Sequence, residues 1–191
     1  MKTCLFGGSF DPIHLGHVQM ATDAHRACSL DAVVFLPAAE SPFKQGQRLM
    51  FSNEQRLDML RLATRGLPWA SVSELDLQLP PPSWSWRIVE AWKNTHPQDE
   101  LFWLLGTDQW DELHRWGRYD YLVQHLTFIV YHRGHAPAPR DGVRAVFLQG
   151  RHPASASEIR RHLEDGSPFP QGWMAPDCEQ YAREHCPRVT P

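Results

Sequence analysis

The chain has 191 residues, of which 42% are hydrophobic and 21% are charged, and its formal net charge is -3 at pH 7. This length suits one domain with a sizeable core, and the slightly acidic balance argues against a protein that coats nucleic acid with a basic surface. No apolar run approaches the roughly 20 residues that a membrane-spanning helix needs. We therefore expect neither a nucleic-acid partner nor a membrane partner.

Short apolar runs alternate with helical patterns along the chain. Strands are predicted at residues 3–6, 32–36, 70–73, 101–105, 127–131 and 143–148. Helices are predicted at residues 14–28, 52–65, 83–95, 155–163 and 176–185, with further helical turns from residue 108. This alternation is typical of parallel βαβ units. The sequence thus predicts an α/β protein with a Rossmann-like, doubly wound parallel sheet and helices on both faces, forming a single domain over residues 1–191 with a helical tail at 166–191.

The second predicted helix has clear start and stop signals. Ser52 is followed three residues later by Gln55, which is the capping-box pattern, and Gly66 is a typical stop.

In sheets of the predicted kind, ligands bind outside the carboxyl ends of the strands, near the point where the strand order reverses. This rule directs attention to the loops after residues 6, 36, 105 and 131.

The loop after the first strand, GGSFDPIHLGH at residues 7–17, carries the strongest signal. Gly7 and Gly8 let backbone N–H groups approach a phosphate without a Cβ in the way. His14 and His17 are three residues apart, so both project from the same side of the first helical turn. The helix N-terminus adds free N–H donors and the positive end of its dipole. Together these features suit a polyphosphate.

Other interpretations of this loop fit less well. It is neither a Walker A loop nor the GxGxxG fingerprint of redox dinucleotide-binding modules. Two histidines with no nearby cysteine, and with Asp11 and Pro12 used in a rigid turn, make a poor zinc set, so no metal site is predicted. A tight turn that carries two surface histidines is the structural alternative.

The string GGSFDPIHLGH resembles the signature of the HxGH nucleotidyltransferase superfamily. More closely, it resembles the opening GGTFDPxHxGH of the bacterial nicotinate-nucleotide adenylyltransferase family, with Ser9 where threonine is common. The resemblance covers residue 1 to about residue 165. It implies transfer of AMP from ATP to nicotinic acid mononucleotide, which gives deamido-NAD and pyrophosphate in NAD biosynthesis. ATP chemistry in turn implies Mg²⁺, held mainly by phosphates and water.

A late segment, SASEIR, is similar to the family's motif S-[SA]-T-x-[IL]-R at a helix start. Ser155 or Ser157 can cap the helix and offer a hydroxyl and an N–H group to a phosphate. Arg160, one turn further, can reach the β- or γ-phosphate. An ordinary capped helix with a solvated arginine is the alternative.

The segment GTD after the fourth strand matches the family's G-x-D, which the resemblance implies borders the adenosine. Gly106 permits close approach of a ligand, and Asp108 can accept from a ribose hydroxyl or simply cap the helix. Eight residues beyond Asp108 lies Trp116, where the family carries a tryptophan that is implied to stack on the nicotinate ring.

The segment PSWSW resembles the family's PSYT helix start. The resemblance implies that Ser85 replaces the threonine near the nicotinate carboxylate and that Trp84 replaces the tyrosine. Ile88 replaces a second threonine, which changes the pocket wall.

Two further matches are partial. The segment SPFK keeps Lys44 of the family's PPHK but has Phe43 in place of the histidine. Arg133 matches one arginine of the family's RRPG and is implied to face the acceptor phosphate, whereas His132 replaces the other.

These matches define the expected site. The predicted catalytic residues are His14, His17, Lys44 and Arg160. The predicted ATP-binding residues are Gly7, Gly8, Ser9, Phe10, His14, His17, Gly106, Asp108, Ser155, Ser157 and Arg160. The predicted acceptor-binding residues are Lys44, Trp84, Ser85, Trp116 and Arg133. A transferase of the same superfamily for another phosphorylated acceptor, or a catalytically weak nucleotide-binding homologue, is an alternative that the sequence leaves open.

The cysteines and the opening residues bear on the compartment. The four cysteines form no CxxC pair, and the opening residues lack the apolar stretch and cleavage site of a signal peptide. We therefore expect reduced thiols and a cytoplasmic location.

Overall fold

The computed structural model describes residues 1–40 and 48–187. Within these residues the strands are β1 Lys2–Gly8, β2 Ala32–Pro37, β3 Ala70–Val72, β4 Glu100–Gly106, β5 Leu126–His132 and β6 Ala145–Gln149. The α-helices in the same ranges are α1 Leu15–Ala27, α2 Asn53–Thr64, α3 Leu75–Gln78, α4 Ser85–Thr95, α5 Thr107–Asp111, α6 Tyr119–His125, α7 Ala156–Glu164 and α8 Pro176–His185. A 3₁₀ turn, Leu113–Arg115, lies between α5 and α6.

The strands form one sheet in the order β3-β2-β1-β4-β5-β6, and every adjacent pair is parallel. The chain builds outward from β1 to β3, then returns to the other side of β1 and builds outward again. The order therefore reverses between β1 and β4, as in other doubly wound sheets. The predicted fold class is confirmed.

The two faces of the sheet bury separate cores because successive strand residues point to opposite sides. On one face, Phe6 and Phe35 pack with buried residues of α1, α2, α7 and α8. On the other face, Leu5 and Trp103 pack with buried residues of α4, α5 and α6. Helices thus cover both faces, as the sequence predicts.

The ends of α2 follow the signals in the sequence. The Ser52 hydroxyl accepts from the backbone N–H of Gln55 at 3.2 Å, and the Gln55 side chain accepts from the backbone N–H of Ser52 at 2.9 Å. Gly66, two residues past the end of the helix, has φ +83°, in the left-handed region that glycine tolerates best. The predicted capping box and stop are confirmed.

Several element bounds differ from the predictions for identifiable reasons. The α4 helix begins at Ser85 rather than residue 83, because the backbone of its N-cap, Trp84, is extended, with φ -82° and ψ 119°. The short helix α3 has no counterpart among the predicted elements, since a single turn leaves little periodicity. The last strand begins at Ala145, because Val143 closes a turn onto Arg140.

The last helix, α8, packs directly against α2. The Tyr181 hydroxyl donates to the Asp58 carboxylate at 3.0 Å, and Cys178 is buried against Met59.

All four cysteines are free, as predicted. Across residues 1–40 and 48–187, none of the helices combines the length and apolar character that crossing a membrane requires.

Candidate active site

A crevice opens where the strand order reverses. The pairing of β1 with β4 ends at Leu5 and Trp103, although the two strands continue to Gly8 and Gly106. Their carboxyl ends therefore separate, and a cavity of about 590 Å³ lies between them. Its walls come from the first loop and from α1, α3, α4, α5 and the end of β5.

Ten of the predicted site residues line this one cavity. They are Gly7, Gly8, Ser9, Phe10, His17, Ser85, Gly106, Asp108, Trp116 and Arg133. Of the other predicted residues, those that the structure describes do not line the cavity, and their positions follow below: His14, Trp84, Ser155, Ser157 and Arg160. Lys44 lies outside the described residues.

The first loop is held in place by contacts with other elements. The two carboxylate oxygens of Asp11 accept from the backbone N–H groups of Met50 and Phe51, each at 2.9 Å. Gly7 lies so close to the Trp103 indole that a Cβ at position 7 would come within 2.9 Å of the ring. The opening glycine is therefore required by packing, in addition to the access to a phosphate that the sequence suggests.

His14 and His17 converge, as their spacing predicts. His14 is the N-cap of α1, and the two imidazole rings stack with centroids 3.7 Å apart and planes 25° from parallel. The backbone N–H of His14 donates to Nδ1 of His17 at 3.3 Å, which leaves the ring proton of neutral His17 on Nε2. His14 is buried behind His17, which lines the cavity.

Both imidazoles are held neutral. Burial lowers the pKa of His14 to about 2, with smaller contributions from His17, Arg133 and His152. Burial also lowers the pKa of His17 to about 3, helped by the positive charge of Arg133 and by His152. Close to neutral pH the pair therefore offers N–H donors without adding positive charge.

The late motif is brought against the first loop by its arginine. A guanidinium N–H of Arg160 donates to the backbone carbonyl of Asp11 at 2.5 Å and lies 3.9 Å from the Asp11 carboxylate. Ser155 is the N-cap of α7, and its hydroxyl lies 2.9 Å from that of Ser157. Ser155, Ser157 and Arg160 all lie outside the cavity lining, and the motif contacts the first loop through Arg160 at Asp11.

Arg133 and the segment around Asp108 lie at the ends of β5 and β4. Arg133 lines the cavity, and its guanidinium donates to the carbonyl of Ala154 at 3.2 Å, which joins β5 to the segment before α7. Asp108 also faces the cavity and is the second residue of α5, whose N-cap is Gly106. The alternative that Asp108 caps this helix is therefore wrong.

Ser85 and Trp116 share a wall with Trp103, which we call the indole wall. The Trp103 and Trp116 rings meet edge to face with centroids 6.0 Å apart. Trp84 is the N-cap of α4, packs beside Gly117 and does not line the cavity. Gly7 to Phe10 and His17 form a second part of the lining, which we call the loop wall.

Sequence reasoning missed Arg56, which is completely buried. Its guanidinium donates to the backbone carbonyl of Ser9 at 2.6 Å, to that of Ala38 at 2.8 Å and to the side chain of Asn53 at 2.7 Å. It thereby ties the loop after β1 to the loop after β2. The one signal for this role in the sequence is the position of Arg56 next to the buried residues of α2. Burial lowers the pKa of its guanidinium.

Asp76 of α3 was also missed and lines the cavity. Its carboxylate accepts from the backbone N–H of Ala39 at 3.3 Å. Burial raises the pKa of Asp76, and hydrogen bonds from Ser83 and Ala39 oppose that effect. Nothing in the sequence marks this carboxylate, since its partners are 7 and 37 residues away.

Comparison with known proteins gives one consistent result. The family model described as cytidylyltransferase-like matches residues 5–162. A probable nicotinate-nucleotide adenylyltransferase of Methylacidiphilum infernorum is 42% identical over 132 residues, which cover 69% of this chain and 64% of that protein. One from Hydrogenobaculum sp. is 35% identical over 179 residues, which cover 93% and 92% of the two chains.

A solved structure extends the agreement to the fold. The nicotinic acid mononucleotide adenylyltransferase of Plasmodium falciparum, complexed with NaAD, has a TM-score of 0.78 and 18% identity over 96% of each chain. The similarity between the two structures supports the same architecture for this chain. Family membership is shown by the sequence matches. The cavity at the reversal point and the stacked histidines agree with these matches. The chain belongs to the nicotinate-nucleotide adenylyltransferase family of cytidylyltransferase-like nucleotidyltransferases.

Proposed function

We propose that the protein transfers AMP from ATP to the phosphate of nicotinic acid mononucleotide, giving deamido-NAD and pyrophosphate. The observation that carries this proposal is a single cavity at the reversal point of the sheet, with a loop wall suited to phosphates and an indole wall suited to an aromatic ring. Family membership supports the same reaction.

The reaction needs positioning more than acid–base chemistry. An oxygen of the acceptor phosphate bonds to the α-phosphorus of ATP, and the bond from that phosphorus to the pyrophosphate oxygen breaks. The attacking phosphate is already an anion near neutral pH, so no proton has to be removed from it. The enzyme must hold two anions together and stabilise the charge that develops on pyrophosphate.

The loop wall would bind the phosphates of ATP. Backbone N–H groups of Gly7 to Phe10 and the Nε2–H of His17 would donate to phosphate oxygens, and His14 would support His17 from behind. A bound polyanion favours the protonated form of an imidazole, so it opposes the lowered pKa values of both histidines.

The remaining roles follow the sequence matches. Arg160, beside the first loop, and Ser155 and Ser157 at the start of α7 would act on the β- and γ-phosphates, as would Lys44. Gly106 and Asp108 would border the adenosine.

On the acceptor side, Ser85 would donate to the nicotinate carboxylate and Trp116 would stack on the ring. Arg133 would pair with the acceptor phosphate, to which Lys44 would also contribute. Trp84 would act indirectly, by supporting the start of α4 at Ser85.

Nucleotidyltransferases generally use a divalent metal with ATP, and we propose Mg²⁺ here. In residues 1–40 and 48–187 no three His, Cys, Asp or Glu side chains group together in a way that could hold a metal ion. Mg²⁺ prefers oxygen ligands and keeps several waters, so it fits a site in which ATP phosphates and water supply the ligands. When bound, it would neutralise charge on the leaving pyrophosphate.

A pyrophosphate-release assay tests the proposed function. Purified protein is given ATP and Mg²⁺ with nicotinic acid mononucleotide or nicotinamide mononucleotide. We expect release with the acid mononucleotide at a clearly higher kcat/KM than with the amide. Absence of release with the acid mononucleotide would contradict the proposal.

The free cysteines support a reducing compartment, and we propose that the reaction occurs in the cytoplasm.

A further inference from the structure

His152 is a half-buried residue of the segment between β6 and α7, and sequence reasoning assigned it no role. It does not line the cavity, but its ring packs against the first turn of α1: a Cβ built on Gly16 would lie 3.4 Å from Nδ1 of His152. The segment before α8 reaches the same turn, because the backbone N–H of Leu15 donates to the carbonyl of Trp173 at 2.8 Å. His152 therefore lies where three parts of the chain meet beside the loop wall.

Two consecutive hydrogen bonds join His152 to Arg133. Nδ1 of His152 accepts from the backbone N–H of Ala154 at 3.1 Å. The carbonyl of Ala154 in turn accepts from the guanidinium of Arg133 at 3.2 Å. Since only an unprotonated ring nitrogen accepts, the neutral imidazole with its proton on Nε2 makes this connection.

The connection bears on the site because Arg133 has few other restraints. Arg133 is exposed and lines the cavity, and its positive charge acts on His14 and His17. Among the described residues, the Ala154 carbonyl is the one hydrogen-bond acceptor of its guanidinium. Ala154 itself is completely buried. The direction of the guanidinium therefore depends on how the backbone of Ala154 is held.

We propose that His152 is a positioning residue that directs the Arg133 guanidinium toward the acceptor phosphate through the backbone of Ala154. This inference rests on the proposed function, in which Arg133 pairs with that phosphate. It also predicts a pH dependence, because the contact to Ala154 is made by one titratable nitrogen.

The groups around His152 set the sign of this dependence. Burial lowers the pKa of His152, the positive charge of Arg133 lowers it further, and the backbone of Gly172 opposes both effects. From α1, His14 and His17 face the same region and are neutral close to pH 7. As the pH falls through the pKa of His152, Nδ1 takes up a proton and can no longer accept. Use of the acceptor should therefore weaken at acidic pH.

The test compares His152→Ala with His152→Asn. Alanine removes the acceptor, whereas an asparagine side chain can accept from the N–H two residues later, as in an Asx turn, and does not titrate. At about pH 7.5, His152→Ala should lower kcat/KM for nicotinic acid mononucleotide by about three- to tenfold, the size of one neutral hydrogen bond, with KM for ATP unchanged. His152→Asn should stay close to wild type.

His162→Ala is the matched control, since the imidazole of His162 contacts the hydroxyl of Ser167 instead of the backbone beside Arg133. It should leave the kinetics of the acceptor unchanged. Circular dichroism confirms that each variant is folded.

A double-mutant cycle separates positioning from a general structural role. In the Arg133→Ala background, His152→Ala should have no further effect on the acceptor, because the group that it directs is gone. The ratio of kcat/KM in wild type to kcat/KM in His152→Asn should fall between about pH 7.5 and pH 5.5. Titration of the substrates cancels in this ratio.

The possible outcomes separate the two proposals. Equal losses from His152→Ala with and without Arg133, equal effects of the alanine and asparagine variants, or a ratio that does not fall at acidic pH would each overturn the role of His152 alone. Wild-type protein that releases no pyrophosphate with nicotinic acid mononucleotide would overturn both.

Discussion

The loop wall and the indole wall face the same cavity but are built differently. Around the loop wall, polar side chains reach across to distant backbone: Asp11 to residues 50–51, Arg56 to the carbonyls of Ser9 and Ala38, and Arg160 to Asp11. In the indole wall, two buried N–H groups have no partner among the described residues. The first wall is preorganised by hydrogen bonds to distant backbone, whereas the second is held by the packing of buried indole rings.

The largest effect is expected from removing the imidazole of the loop wall that lines the cavity. His17→Ala should lower kcat by about 10²–10³-fold, as expected for a donor to a developing charge. The fold should remain, because neighbouring contacts hold the loop. Pyrophosphate release and circular dichroism measure the two effects. His25→Ala, on the same helix but stacked on Trp69, is the matched control. Unchanged turnover in His17→Ala would exclude this role.

The next effect concerns what holds the loop wall in place. Arg56→Met should reduce the free energy of unfolding by about 2–4 kcal/mol, because the carbonyls of Ser9 and Ala38 and the side chain of Asn53 lose their buried donor. Arg61→Met on the same helix removes only exposed ion pairs and should cost less than about 1 kcal/mol. Urea denaturation compares the two, and similar losses would show that Arg56 does not hold the loops.

The stacked histidines give the loop wall a pH dependence. Their pKa values lie below the ordinary 6.5 in the folded protein, so the unfolded chain binds more protons below that pH. Stability should therefore fall as the pH decreases from about 6.5 toward 3, and these groups should have little effect above 7. Between pH 7.5 and 5.5 the loss should be about 1 kcal/mol per histidine.

Urea midpoints at the two pH values test this dependence in wild type and in the double variant His14→Ala/His17→Ala. The double variant should lose most of the difference between the two pH values. If it keeps the full difference, other groups are responsible.

The smallest effect belongs to the indole wall. Ser85→Ala should raise KM for the acceptor by about three- to tenfold, which corresponds to one neutral hydrogen bond, and should leave KM for ATP unchanged. Steady-state kinetics with each substrate varied in turn separates the two. Equal effects on both substrates would remove Ser85 from the acceptor side.

Local sequence patterns predicted the features that depend on neighbours in the chain. The spacing of His14 and His17 predicted their convergence, and the pair Ser52 and Gln55 predicted the start of α2. The alternation of strands and helices predicted a doubly wound parallel sheet, and the rule for such sheets placed the cavity at the ends of the strands.

Features that depend on distant partners were missed. Arg56 looks like a surface arginine until Ser9 and Ala38, 47 and 18 residues away, are brought beside it. Asp76 lies in a helix of four residues, too short to leave a periodic signal. Trp103 reads as an ordinary core residue of a buried strand, because no local pattern reveals that it lines the cavity.

The close approach of Gly7 to Trp103 links two positions in the evolution of the family. A methyl group at position 7 and an indole at position 103 cannot occupy the same space, since they would lie 2.9 Å apart. A relative with a larger residue at the first of these positions therefore needs a smaller ring at the second. Covariation of this pair across aligned relatives would thus record which lineages can carry a tryptophan in β4.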